Sequence, residues 1–232
     1  MAMLPVAALM LCAAAAFAAT ADFTWKGPVA SGQTFEVKGL NGPVRVVESA
    51  GAEVSVKALR KGRRSDPNEV RIEVVPHAGG VTVCAVYPSA DTRPNECRPG
   101  NGGKNNVRNN DVHVEFEVQL PRGVHLVAKT VNGDVEARHI GGDVKADTVN
   151  GQIVVAAQGS VDARTVNGGI TLELPPGAGA AVSARVTNGE IGSELPFRGR
   201  IDRRHLDATI GNGGRELKLH TVNGSIRIRR AS

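Results

Sequence analysis

Four letters, Thr-Val-Asn-Gly, return along this 232-residue chain and constrain its fold more than any other feature. The full motif contains Asn132, Asn150, Asn167 and, much further along, Asn223. Near copies are GLNG at 39–42, VTNG at 186–189 and IGNG at 210–213. A motif that returns this often is either a binding code or a corner that the backbone must turn repeatedly.

The residues around the motif alternate between apolar and polar side chains, which is the period of a β-strand. Two turn types, NG and then GG or GS, alternate over 124–174, and the full unit recurs after 18 and then 17 residues. A repeat this short cannot bury its own apolar face, so neighbouring units must stack into one core. The sequence therefore predicts an all-β solenoid with about two strands per repeat in the C-terminal half.

An antiparallel meander is the alternative, because Asn-Gly between alternating apolar residues is also typical of a type I′ hairpin. The units resemble each other more at the full period than at half of it, which favours parallel coils. Parallel stacking would place Val144 over Val161 and Ile153 over Ile170 at a strand spacing of roughly 4.8 Å.

The alternation of inward and outward side chains shifts by one residue at the motif. Thr165 before Asn167-Gly168 and Ile170 after it both belong to the inward face, although they are an odd number of positions apart. We expect this change to need backbone angles that β-branched residues resist and that Asn and Gly tolerate. Asparagine side chains at equivalent corners can also hydrogen-bond to each other. The predicted structural corners are Asn41, Asn132, Gly133, Asn150, Gly151, Asn167, Gly168, Asn188, Gly189, Asn223 and Gly224.

The N-terminus predicts a signal peptide over residues 1–18. Its apolar run from Leu4 to Ala18 has no charged residue, is short for a membrane span and ends in small residues. The alternative is a buried core segment, because no Lys or Arg precedes the run. We expect the mature chain, 19–232, to be one β-solenoid domain without a transmembrane span, with irregular coils to about 120 and regular TVNG coils over 121–232.

The mature chain would keep Cys84 and Cys97, and an even pair in an exported protein is most simply a disulfide. Neither cysteine has the spacing of a zinc site or of a Cys-x-x-Cys redox motif. The polar segment 88–111 contains Cys97. Long loops on rigid scaffolds often carry recognition, which makes this segment the candidate functional surface. The alternative is a tolerated insertion that the disulfide holds in place.

These motifs carry a resemblance. The T-V-N-G units, the segments VTVCAVYP and NECRPG, and the ending GGRELKLHTVNGSIRIR together resemble the bacterial putative-adhesin family of domains of unknown function, which is related to auto-transporter adhesin head domains. The resemblance covers about 23–230 and implies a right-handed parallel β-helix in the periplasm or at the cell surface. It brings no catalytic or binding residue with it.

The sequence offers no constellation for catalysis, for a metal or for a cofactor. Enzymatic β-helices need carboxylates that converge on neighbouring coils, but stacking puts Asp134 above Gln152 and Asp147 near Arg164. The histidines are scattered, and no nucleophile elbow or phosphate-binding loop is present. We expect no catalytic, cofactor-binding or metal-binding residue.

The net charge of +5 is spread over several basic runs, which usually form solvated faces or guard sheet edges. Aromatic residues make up 3% of the chain and do not interleave with the basic ones, which disfavours nucleic acid as a partner. The run over 198–204 could meet acidic polysaccharide or lipid headgroups.

We expect an exported, non-enzymatic, adhesin-like structural or binding module of the cell envelope, with an envelope protein or an anionic glycan as partner. The alternatives are a carbohydrate-active β-helix enzyme and a periplasmic protein-binding sensor or assembly partner.

Overall fold

The computed structural model describes residues 19–231, so the signal peptide predicted over 1–18 lies outside the described residues. Within this range the chain forms strands and one 3₁₀ turn, Pro67–Glu69. In chain order, β1 to β19 are Ala19–Pro28, Thr34–Lys38, Val44–Ser49, Glu53–Gly62, Arg71–His77, Gly80–Val86, His113–Pro121, His125–Lys129, Val135–Ile140, Val144–Asp147, Ile153–Ala157, Val161–Asn167, Ile170–Leu174, Ala180–Asn188, Ile191–Ser193, Phe197–Ile201, His205–Ile210, Arg215–Asn223 and Ile226–Arg230. The all-β prediction is confirmed.

The strands form two large mixed sheets. One has the order β1-β4-β7-β3-β9-β11-β13-β19-β15, and the other has the order β16-β17-β14-β18-β12-β10-β8-β2-β6-β5. Each TVNG unit supplies one strand to the ten-stranded sheet before its corner and one strand to the nine-stranded sheet after it. We call such a pair of strands a rung. The rungs with an asparagine corner are β2–β3, β8–β9, β10–β11, β12–β13, β18–β19 and β14–β15.

The core lies between the two sheets and consists mainly of small and β-branched side chains. Val144 pairs in parallel register with Leu126 on one side and Val161 on the other, while Ile153 pairs with Ile170. All five are at most 2% exposed, and full burial of such a side chain contributes about 1.5–3 kcal/mol. These units stack as the period of the sequence predicts, and they do not form the alternative antiparallel meander.

The order of the rungs in space departs from their order in the chain. The last TVNG rung, β18–β19, lies between β12–β13 and β14–β15. The first rung in the chain, β2–β3, lies between β8–β9 and the strands β6 and β7. Regular stacking therefore includes residues 34–49, within the part of the chain for which the sequence predicts irregular coils. Similar rungs present similar edges, so the spacing of the repeat does not decide which neighbour each rung meets.

Antiparallel strands lie at both ends of the stack. At one end β1 pairs with β4, β4 with β7, and β5 with β6; at the other, β14 pairs with β17 and β17 with β16. The expectation of a parallel solenoid therefore holds for the central rungs alone. At the second end the antiparallel strands cover the edge of β14, which would otherwise be open to another chain, while β15 is the outermost strand of the nine-stranded sheet. The near copy IGNG at 210–213 lies in the turn between β17 and β18, so it is not a corner of a rung.

Candidate functional site

Six asparagines, one from each rung, form a continuous hydrogen-bonded row along the stack, which we call the asparagine ladder. In every step the Nδ2 group of one asparagine donates to Oδ1 of the next. The steps run from Asn132 to Asn41 at 2.9 Å, from Asn150 to Asn132 at 2.7 Å, and from Asn167 to Asn150, Asn223 to Asn167 and Asn188 to Asn223 at 2.8 Å each. Each internal asparagine thus finds both a donor and an acceptor on its neighbours.

The backbone of the asparagine ladder corrects the expectation of strain at these corners. Among the described residues, the non-glycine residues with positive φ are Asn109 and His139, and neither belongs to the asparagine ladder. The expectation of unusual backbone angles is therefore wrong for the corner asparagines, but it holds for the corner glycines Gly189 and Gly224, whose φ angles are 148° and 151°. The recurrence of asparagine is explained by its side-chain amide, which can donate to one rung and accept from another.

The glycine after each of these asparagines is required by the close approach of successive rungs. A Cβ atom on Gly151 would lie 2.0 Å from the carbonyl oxygen of Gly133, and one on Gly168 would lie 1.9 Å from that of Gly151. The same obstruction from the neighbouring corner exists at Gly133, Gly189 and Gly224. Any larger residue would force the backbones of two rungs apart, so strand spacing itself selects glycine.

The threonine of the motif has a structural role that the sequence reasoning missed. The Thr148 hydroxyl donates to the carbonyl of Gly133 at 2.9 Å, and that of Thr165 donates to the carbonyl of Gly151 at 3.0 Å. Both threonines are buried, so their hydroxyls need such partners. The signal was available in the sequence, because a threonine rather than a valine stands at this inward position in every complete TVNG unit.

The segment 88–111 connects β6 to β7, and a disulfide between Cys84 and Cys97 ties it to the sheet. The Cα atoms of the two cysteines are 5.7 Å apart, and both side chains are buried. Asn95 is 4% exposed and donates to two backbone carbonyls at 3.0 Å each. The segment is therefore held by internal bonds as well as by the disulfide.

A buried carboxylate fixes the tip of this segment to the ten-stranded sheet. Glu36 Oε1 accepts from Lys129 Nζ at 2.9 Å, while Oε2 accepts from the Gly100 amide at 2.8 Å and from the Thr82 hydroxyl at 3.1 Å. Lys38 Nζ lies 3.7 Å from Oε1, and burial lowers the pKa of Lys38. We call these five residues the Glu36 clamp. Removal of one charged side chain from such a buried network leaves the opposite charge without a partner.

A cleft of about 450 Å³ lies between the tip of the segment and the outer face of the sheet. Its lining residues include Lys38, Leu40, Val86, Glu96, Arg98, Lys104, Lys129, Val131 and Asp147. Burial raises the pKa of Asp147, and its nearest cation, Lys145, lies 4.0 Å away. The cleft thus combines a carboxyl group of weakened acidity, four basic side chains and an apolar wall.

Asp134, another acid that the sequence places on the coils, serves local structure, because its Oδ1 accepts from the Gln152 amide at 2.7 Å. Asp147 lies beside Arg164 in strand register, as the stacking predicts. Within residues 19–231, no three His, Cys, Asp or Glu side chains come together in an arrangement that could hold a metal ion. No helix in this described range is long and apolar enough to cross a membrane.

Comparisons with known proteins agree with this geometry. The model of the family described as Toastrack DUF4097 matches residues 111–229, just over half of the chain. The chain belongs to the Toastrack DUF4097 family. The predicted resemblance to the putative-adhesin domains of unknown function is thereby confirmed. No curated protein matches the chain by sequence.

Two solved structures are similar to this Toastrack DUF4097 protein. One is a putative cell adhesion protein from Clostridium sporogenes ATCC 15579, with 15% identity and a TM-score of 0.53 over 92% of this chain and 100% of the other. The second is a putative adhesin from Bacteroides fragilis NCTC 9343, with 10% identity and a TM-score of 0.34 over 91% of this chain and 97% of the other. The first likeness supports the fold alone.

The Toastrack DUF4097 match begins just before β7 and reaches into β19. It includes the asparagine ladder from Asn132 to Asn223 and leaves out Asn41, both cysteines and Glu36. One wall of the cleft, with Lys129, Val131 and Asp147, lies in the part of the chain that matches the family. The rest of the lining comes from residues that precede that part.

Proposed function

We propose that this protein is an exported, non-enzymatic, adhesin-like binding module of the cell envelope, and that the cleft beside segment 88–111 is its recognition site. The observation that carries the proposal is the immobilisation of this segment by the disulfide and the Glu36 clamp above a cleft of ligand size. Binding pockets usually measure roughly 300–1,000 Å³ and combine apolar walls with a few polar groups. A preformed site avoids the entropic cost of ordering a loop when the partner binds.

Export is the first part of the proposal. A disulfide persists in the periplasm or outside the cell and is rare in the cytosol, which supports an oxidising compartment for the Cys84–Cys97 pair. The similar structures described as adhesion proteins support the same placement, as does the apolar leader predicted over 1–18. We expect mature protein from the envelope to begin at or near residue 19 and to contain no free thiol, which mass spectrometry of the intact chain measures. Two free thiols would refute the placement.

The handedness of the coil is a further part of the proposal. We expect the rungs to wind in a right-handed sense, because right-handed crossovers between parallel strands of one sheet are strongly favoured. A crystal structure with left-handed rungs would refute this.

The partner in the proposal is an envelope protein or an anionic glycan. The four basic side chains of the cleft are paired with carboxylates: Lys38 and Lys129 with Glu36, Lys104 with Asp91, and Arg98 with Glu96. A ligand with negative charge would exchange these pairs for its own, while the apolar wall formed by Leu40 and Val131 can contact a C–H surface. Guanidinium and ammonium groups at such a site would hydrogen-bond carboxylates.

A pair of matched variants tests the recognition site. Val131→Glu would place a negatively charged side chain in the cleft, whereas Val166→Glu makes the same change on a rung distant from it. We expect Val131→Glu to weaken retention of the mature chain on an isolated envelope fraction and Val166→Glu to leave retention unchanged. Equal retention of both variants would overturn the cleft as the recognition site.

The non-enzymatic part of the proposal has its own assay. Incubation of the mature chain with acidic and neutral envelope polysaccharides should release no oligosaccharide above a blank. Release that disappears in Asp147→Asn would replace the proposal with a carbohydrate-active enzyme, because Asp147 is the carboxyl of raised pKa in the cleft.

A further inference from the structure

Five arginines gather at the end of the stack opposite the cleft. Arg185 lies on β14, Arg198 and Arg200 lie on β16, and Arg203 and Arg204 lie in the turn between β16 and β17. All five are exposed. We call this group the arginine patch.

The strand register brings the patch to the outer face of the ten-stranded sheet. Arg200 lies opposite Asp207, which lies opposite Ser183 on β14, two residues before Arg185. Residues directly opposite each other in antiparallel strands share a face. Arg198 lies opposite Thr209 and so belongs to the same outer face.

The turn that carries the other two arginines folds back against this region. The Arg204 carbonyl accepts from the Val186 amide at 3.0 Å, and the Arg203 carbonyl accepts from the Ile191 amide at 3.2 Å. Both arginines therefore lie beside the end of β14, where Arg185 projects.

The five guanidinium groups of the patch lie together and have no acidic partners among the described residues. In the described part of the chain, no Asp or Glu oxygen lies within 4.0 Å of any of the five, whereas Arg138, Arg164 and Arg229 each pair with a carboxylate. The two acids near the patch are already engaged. Asp202 accepts from two backbone amides of the turn at 2.8 Å each, and Asp207 accepts from the Ser183 hydroxyl at 2.9 Å.

We propose that the arginine patch binds a linear, carboxylate-bearing polysaccharide of the envelope. Guanidinium groups offer paired N–H donors that match carboxylates. Arg198 and Arg200 lie roughly 7 Å apart along β16, and β14 with Arg185 lies two strands away, roughly 10 Å across the sheet, which suits a polymer of repeated charge. Ile201, 41% exposed, is the large apolar side chain that lies among these arginines, so the patch offers little to insert into a bilayer. The site goes beyond the proposed function, because it is separated from the cleft by several strands and does not depend on the clamped segment.

A protective role at the sheet edge is the competing explanation, since charged side chains on an edge strand such as β16 discourage pairing with other chains. Charge reversal separates the two roles. Arg198→Glu and Arg200→Glu keep charged side chains on the edge strand, yet they repel an anionic polymer.

The test compares two triple variants of the full mature chain with the same change in net charge. Arg185→Glu, Arg198→Glu and Arg200→Glu reverse the patch, while Arg45→Glu, Arg63→Glu and Arg227→Glu reverse three exposed arginines elsewhere. The probe is polygalacturonate of defined chain length, measured by isothermal titration at two salt concentrations. We expect the patch variant to bind at least about tenfold more weakly, which corresponds to several exposed charge pairs, and the control to stay within about threefold of the wild type.

The remaining outcomes are decisive as well. Equal weakening in both triple variants would show that net charge alone attracts the polymer and would overturn the proposal. Preferential binding to vesicles of anionic phospholipid, with no binding of polygalacturonate, would assign the patch to a membrane surface and overturn it too. Val131→Glu should leave polygalacturonate binding at the patch within about threefold of the wild type, so failure here is distinguishable from failure at the cleft.

Discussion

The side chain of Asn223 donates to that of Asn167 at 2.8 Å although 56 residues separate them in the chain. The intervening rung, with Asn188, lies on the other side of Asn223 and is joined to it by an equivalent bond. Asparagines of the same motif thus form the same side-chain hydrogen bond whether their rungs are near or far apart in the sequence. The asparagine ladder therefore follows the order of the rungs in space and does not depend on their order in the chain.

Replacement of a ladder asparagine should destabilise the fold through lost hydrogen bonds. Asn150→Val removes one bond donated and one accepted, and we expect a loss of about 1–2 kcal/mol in the free energy of unfolding. Asn212→Val is the matched control, because Asn212 belongs to the near copy outside the asparagine ladder, and it should stay within about 0.5 kcal/mol. Urea denaturation measures both. Equal stability of the two variants would contradict a role for the asparagine ladder.

A methyl group at a ladder glycine should be much less tolerated than one elsewhere. Gly151→Ala would place Cβ 2.0 Å from a backbone oxygen of the next rung, so we expect a loss of about 3 kcal/mol or failure to fold. Gly192→Ala meets nothing within 4 Å and should be close to neutral. Thermal melting of both proteins gives the comparison, and a normal melting temperature for Gly151→Ala would refute the close approach of the rungs.

Reduction of the disulfide should loosen the candidate recognition segment. Cys84 and Cys97 are 13 residues apart, and release of a loop of this size should cost about 2–4 kcal/mol. Denaturation with and without reductant measures the change. A Cys84→Ala and Cys97→Ala double variant should show no further response to reductant, and an unchanged midpoint for the reduced wild type would contradict a stabilising role.

The single tyrosine should make stability fall at high pH. Burial raises the pKa of Tyr87 to about 12, and its hydroxyl donates to the Val112 carbonyl at 2.9 Å. Between the ordinary value of about 10 and this raised value, the unfolded chain loses the phenolic proton first, so stability decreases as pH rises. The loss should reach roughly 2–3 kcal/mol and be absent in Tyr87→Phe.

An ultraviolet titration of tyrosinate checks the Tyr87 prediction directly, because the chain contains one tyrosine. The folded protein should ionise near pH 12 and the urea-unfolded protein near 10. Coincident titration curves would contradict the burial of this hydroxyl.

The sequence predicted the local parts of the fold well, because they depend on periodicity. The pairing of Val144 with Val161 and of Ile153 with Ile170 follows from units 17 residues apart. The insertion of β18–β19 beside β12–β13 could not be predicted, because successive rungs present similar edges. The antiparallel pairing at both ends likewise depends on strands that carry no TVNG motif.

The candidate site was predictable in part. Composition indicated segment 88–111, and the even cysteine count indicated its disulfide. The Glu36 clamp joins residues from four distant stretches of the chain, including Thr82, Gly100 and Lys129, and nothing local in the sequence marks them as partners. The arginine patch was visible only as the basic run over 198–204, because the contribution of Arg185 comes from strand register.

The most direct test of the central claim, that TVNG units are stacked structural rungs, is a measurement of which units touch. Val166 and Val222 lie between positions that pair in register, so their Cα atoms should be about 4.8 Å apart, within reach of a disulfide. Val166 and Thr187 are separated by a further strand and are out of reach. In mildly oxidised protein mapped by peptide mass spectrometry, the Val166→Cys and Val222→Cys variant should cross-link within one chain, and the Val166→Cys and Thr187→Cys variant should not. The reverse pattern, or no cross-link in either variant, would contradict the stack.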